Sequence, residues 1–133
     1  MASAPRHTLL PQIPYADGPR AVAWLERAFG FRETPGARFT SPGGAIHTEL
    51  QTPLGGALMI GGAGGHGVYP PGASGRPSMI LSVYVEDLDA HCKNARAGGA
   101  VICAEPEDKP FGDRVYECVD PEGHRWRFHE RLR

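Results

Sequence analysis

The chain has 133 residues, enough for one domain or two small modules sharing a core. Fourteen Lys plus Arg against fifteen Asp plus Glu leave a net charge of −1, with neither a basic stripe for nucleic acid nor a polybasic patch for a membrane surface. No apolar stretch reaches the roughly 18–20 residues a membrane-spanning helix needs, and the opening residues MASAPRH lack the apolar run of a secretory leader.

In chain order, His7 to Tyr15 has strand character and ends at Asp17, a good helix N-cap, with Pro19 suited to the first turn. Val22, Leu25, Ala28 and Phe29 recur at helical spacing, and Gly30 supplies a left-handed stop. Short strands are expected around Phe31–Glu33, Ala45–Gln51 and Ala57–Ile60. Gly61 to Pro77, GGAGGHGVYPPGASGRP, is too rich in Gly and Pro for regular structure. Met79–Glu86 then reads as a strand, Asp87 caps a second helix to about Ala97, and Gly98-Gly99 ends it. Val101–Ala104, Arg114–Val119 and Arg125–Glu130 complete the set. The order strand, helix, three strands thus occurs twice. It divides the chain into a first module over 7–61, a linker over 62–78 and a second module over 79–131.

The repeat shows at residue level too. Shifted by 68, Pro42–Ile60 lies without a gap over Pro110–Phe128, with two prolines, two glycines and one glutamate in common. Shared turns, spacing and element order point to a duplicated supersecondary unit. Three cysteines, Cys92, Cys103 and Cys118, are an odd number without C-x-x-C spacing. They form no disulfide framework and no thiolate zinc site by themselves, which suits buried thiols in a reducing cytoplasm.

With VEDLDAH at Val85–His91 and VDPEGHRWRF at Val119–Phe128, this repeat resembles the vicinal-oxygen-chelate superfamily of glyoxalase I, extradiol dioxygenases and bleomycin-type resistance proteins. HTEL at His47–Leu50 and EPEDKPFGDR at Glu105–Arg114 look closest to the branch containing the thiocoraline-cluster quinoxaline-binding protein. The resemblance implies an α+β fold of two βαβββ modules whose sheets curve into a partly open, barrel-like ligand cavity. It also implies a homodimer that exchanges modules. Metal-using members of the family place ligands seven residues before each helix-capping acid and four after each hairpin glycine. Here those positions hold Leu10, Ile80, Met59 and Arg127. Two have no donor atom, one is a thioether poor for hard metals, and one is a cation. No metal and no cofactor are therefore expected.

Strand alternation assigns the remaining side chains. Leu81, Val83, Val85, Trp126 and Phe128 belong under the helices, as does Trp24. Leu10, Gln12, Pro14, Ala57, Met59, Ile80, Ser82, Tyr84, Arg125, Arg127 and His129 fall to the cavity. Arg127 brings a charge suited to a carboxylate, phosphate or aromatic face. Tyr84, Phe111 and Tyr116 offer flat stacking surfaces. Gln12, Met59, Ser82, Tyr84, Phe111, Tyr116, Arg127 and His129 are thus the expected ligand-binding residues. His47 and Glu49, two apart on one strand, are the candidate acid–base pair. Ile46 and Leu50 as core residues turn them to the cavity, whereas counting across TPLG puts Leu50 there instead. His66 and Tyr69 lie in a loop of the kind that forms lids, while His7, His91 and His124 read as surface or turn residues. The expected function is sequestration of a small planar or amphiphilic molecule, as in antibiotic resistance, without nucleic-acid or membrane partners. The alternative is a lyase, isomerase or hydrolase acting on a small oxygenated metabolite, with a non-standard metal site as one option.

Overall fold

The computed structural model describes residues 7–72 and 75–133. Most of the opening segment without an apolar run, and Ala73 and Ser74 of the linker, lie outside the described residues. The elements are β1 (Gln12–Tyr15), α1 (Gly18–Phe29), β2 (Arg32–Glu33), β3 (Phe39–Thr40), β4 (Ile46–Gln51) and β5 (Ala57–Gly62). They are followed by β6 (Ile80–Tyr84), α2 (Leu88–Ala97), β7 (Val101–Asp108), β8 (Asp113–Val119) and β9 (Arg125–Arg131). Asp17 caps α1 by accepting from the Arg20 amide, and Asp87 caps α2 by accepting from the Ala90 amide. Gly30, at φ 75°, ends α1 in the left-handed region that a side chain would strain. No helix among the described residues is long and apolar enough to cross a membrane.

Two open sheets result, ordered β1-β5-β4-β2 with β3 attached to β4, and β6-β9-β8-β7. In each, the strand before the helix runs parallel to the last strand of its module. The modules share a plan, with β3 as an extra two-residue strand in the first, but they do not share a spacing. The caps Asp17 and Asp87 stand 70 apart, whereas the hairpin glycines Gly55 and Gly123, both at positive φ, stand 68 apart. The second module is therefore two residues shorter, and the difference lies in its helix, with 10 residues in α2 against 12 in α1.

The helices hold the two modules together. Ile13, Tyr15, Leu50, Leu58, Ile60, Val83, Val85, Trp126 and Phe128 turn towards them and join one buried cluster. Phe29 of α1 packs edge-on against both Trp126 and Phe128 of the second sheet, at 5.4 and 4.7 Å between ring centres. Because the modules meet through their helix-covered faces, the opposite face of each sheet is left on the outside. The chain consequently forms two curved open sheets, not a closed barrel.

Candidate functional site

Alternation along β6, β8 and β9 sets the outer face of the second sheet. Register places Ser82 beside Arg127, Tyr84 beside His129, Glu117 beside Arg127 and Asp113 beside Arg131. Tyr84 donates to Asp113 Oδ2 at 2.6 Å, and His129 Nδ1 lies 3.0 Å from the same oxygen. His129 Nε2 is 3.2 Å from Ser82 Oγ, and Arg131 reaches both Tyr84 and Asp113. Asp113 and His129 are buried although they sit on the outer face, covered by Tyr84 and Arg131 and flanked by Phe111. The Tyr84 hydroxyl, helped by His129 and Arg131, holds the Asp113 carboxyl below the usual carboxylate range against the effect of burial.

Arg127 occupies the outer face as expected, but its charge is engaged. Its Nε and Nη2 donate to Glu117 at 3.1 and 2.8 Å, and Arg125 donates to the other oxygen at 3.0 Å. Burial pushes the Glu117 carboxyl up, but the two guanidiniums outweigh it and leave the carboxyl below its ordinary value. Glu117 and Asp113 were not picked out as site residues from sequence. One signal pointed to the first, since Glu117 is the glutamate shared with Glu49 in the duplicated hairpin.

Tyr116 does not join this face. With Cys118 it belongs to the opposite set on β8, is fully buried beside Phe128, and donates to His91 Nδ1 at 2.6 Å. His91, expected at the surface, donates from Nε2 to the Phe29 carbonyl at 2.9 Å, and burial lowers its pKa. Both corrections have one cause. Tyr and His carry an apolar body with a polar tip, so either suits the core once a polar partner waits there. Cys92 and Cys118 are buried as expected, whereas Cys103, on the edge strand β7, is exposed.

On the first sheet the ambiguity over β4 disappears. Gln51 pairs with Ala57, Leu50 with Leu58 and Glu49 with Met59, so the turn has five residues, Thr52 to Gly56. Leu50 is core, and His47, Glu49 and Met59 share the outer face, with Gln12 beside Met59. His47 and Glu49 are not bonded to each other. His47 stacks on Phe39 at 4.9 Å, and Glu49 accepts from the Thr34 hydroxyl.

Two grooves run along the seam where residues of the first module meet β6. One, of about 330 Å³, is lined by Leu54, Ala57, Ser82 and Tyr84 among others. The second, of about 300 Å³, brings Gln12, Tyr69, Met79 and Arg125 together. Tyr69 therefore reaches the seam from the loop, while His66 lines neither groove. A larger cleft of about 500 Å³ lies elsewhere, along α1 beside Trp24 and Gly99, and holds none of the expected ligand residues.

The donors for a family-type metal do not fit. The four positions remain Leu10, Met59, Ile80 and Arg127, with Arg127 clasped by Glu117. Among the described residues no three His, Cys, Asp or Glu side chains come together as a metal-holding group.

A family model described as Glyoxalase/Bleomycin resistance protein/Dioxygenase superfamily matches residues 6–128. TioX from Micromonospora sp. ML1 is similar at 35% identity, covering 93% of this chain and 95% of its own, with a TM-score of 0.71. Glyoxalase I from Zea mays is 16% identical with a TM-score of 0.71, over 92% of this chain but only 43% of that one. TnmS3, an antibiotic binding protein from Streptomyces sp. CB03234, is 20% identical over 98% of both chains, with a TM-score of 0.68. These last two likenesses show the fold alone. No curated protein matches the chain in sequence.

Proposed function

The chain belongs to the glyoxalase/bleomycin resistance protein/dioxygenase superfamily, and we propose that within it this protein binds a small planar or amphiphilic molecule without a metal, sequestering it as in drug resistance. The observation that carries the proposal is the chemistry of the four ligand positions, of which Arg127 both lacks a donor lone pair and repels a cation. What the outer faces do offer is flat and soft. Tyr84 and Phe111 are 38% and 62% exposed there, and Met59 adds a polarisable thioether on the other sheet.

Each chain presents two half-sites, one per sheet. In the proposed module-exchanged homodimer, the first module of one chain closes over the second module of its partner. The 35% identity to TioX supports a place beside that protein within the superfamily. The exposed Cys103 thiol suits a reducing cytoplasm. An acid–base reading of His47 and Glu49 has less behind it, since each is already engaged by Phe39 or Thr34.

The test is calorimetric titration with quinoxaline-type and bleomycin-type compounds, alongside elemental analysis of protein purified without chelator. We expect a compound that binds and is recovered unchanged, less than about a tenth of an equivalent of transition metal, and about tenfold weaker binding by Arg127→Ala. Stoichiometric metal, or a chemically altered compound that the metal-free protein cannot bind without changing, overturns the proposal.

A further inference from the structure

The buried pair on the outer face goes beyond what holding a guest requires. Asp113 and His129 are 4% and 7% exposed, yet they stand next to an exposed serine on a face otherwise open to solvent. The hydrogen bonds fix their roles. Asp113 is the ionised acceptor of the Tyr84 hydroxyl, so His129 Nδ1, 3.0 Å away, is the N–H that donates to it. In the neutral imidazole Nε2 is then the bare nitrogen, placed 3.2 Å from the Ser82 hydroxyl to accept its proton. A carboxylate thus orients an imidazole, and the imidazole faces a reachable hydroxyl. That is the relation a serine nucleophile needs with its base, and it is recognised by geometry rather than chain order.

The surroundings match. Arg127 is the register neighbour of Ser82 on the same face, and its Nη1 is not among the atoms that grip Glu117. It supplies a cationic donor beside an oxygen that gains charge on attack. The Tyr84 ring, stacked on His129 at 5.0 Å, and the Phe111 ring give an apolar wall for an acyl group.

We propose that Ser82, His129 and Asp113 act as nucleophile, general base and orienting acid on an ester of a hydrophobic carboxylic acid. Ser82 Oγ bonds to the acyl carbon as its proton passes to His129 Nε2. Collapse of the adduct breaks the acyl–oxygen bond, and the leaving alcohol takes that proton. Water then attacks the acyl-serine with His129 again as base, releasing the carboxylic acid and restoring Ser82. This activity is additional to sequestration, and a guest with no ester within reach leaves unchanged.

The test uses the full chain, p-nitrophenyl butyrate as substrate and a fluorophosphonate as probe, so it does not depend on finding the sequestered compound. The expected result is a burst of p-nitrophenolate and a single phosphonylated residue, mapped by peptide mass to Ser82. His129→Gln should slow acylation by about 100-fold or more. Ser82→Ala, a change at an exposed strand position that leaves the fold intact by circular dichroism, should abolish both burst and label. Failure of folded wild-type protein to take the label at Ser82, or ester turnover undiminished in Ser82→Ala, overturns the proposal.

Discussion

Glu117 sets how much cationic charge the second sheet carries on its outer face. Its carboxylate is clasped by Arg125 and Arg127, which hold it below the ordinary 4.5 despite burial. A carboxyl depressed in the folded state contributes stability above its unfolded pKa and loses that contribution as pH falls through its folded value. Asp113 and Glu33 are displaced in the same direction, by Tyr84 and by Arg38 respectively. The melting temperature should therefore fall from about pH 5 downward, and Glu117→Gln should make that fall shallower by removing one share of it. An equally steep acid limb in thermal melts of the variant would show that the clasp contributes nothing. The same substitution removes the charge that neutralises two guanidiniums, so the carboxylate that Arg127 suits by its chemistry is supplied in the first instance by Glu117. Strand alternation gives the face of a side chain but not the partner it meets across the ladder.

At the scale of elements, Asp120 fastens the two modules. Nearly fully buried in the β8–β9 turn, it accepts from the Tyr15 hydroxyl of β1, from Trp126 Nε1, and from the amides of Glu122 and His124. Asp120→Ala strands two buried side-chain donors and should cost about 3 kcal/mol in urea unfolding, whereas Tyr15→Phe, which removes one bond of four, should cost about 1 kcal/mol. Both helices, their caps and the hairpins were legible in the sequence because Asp17, Asp87, Gly30 and the apolar spacing act locally. Four features were not. β1 begins at Gln12 and not at His7, and β5 runs on through Gly61 and Gly62, which were expected to open the irregular loop. β3 is only two residues long, and β7 runs to Asp108, past the expected end at Ala104. β7 is an edge strand, exposed along most of its length and irregular in register beyond Ile102, so it lacks the alternation that marks a half-buried strand. Its Pro106 is tolerated because an edge leaves one side of the ladder unpaired. Tyr116 and His91 were missed for a different reason, their mutual hydrogen bond, which no spacing rule encodes.

For the whole molecule, shared helices inside and polar sheet faces outside leave Ile80, Tyr84 and Phe111 at 44%, 38% and 62% exposure. That much apolar surface beside the candidate site calls for a cover. Light scattering should find twice the 14.3 kDa chain mass at micromolar concentration, and Phe111→Asp should shift the protein towards the monomer while its melt stays cooperative. A monomeric wild-type protein that still binds a guest tightly would remove the need for module exchange.

The duplicated hairpins leave Glu49 and Glu117 at equivalent positions on equivalent strands, yet one is bonded to the hydroxyl of Thr34 and the other lies between two guanidiniums. Two halves descended from one plan have thereby acquired opposite polarity. A chamber built from one of each is anionic at one wall and cationic at the other, although its framework is nearly two-fold symmetric. An unsymmetrical guest would feel that field along its length and settle head-to-tail in a single sense, so the scaffold's symmetry ends where the guest begins.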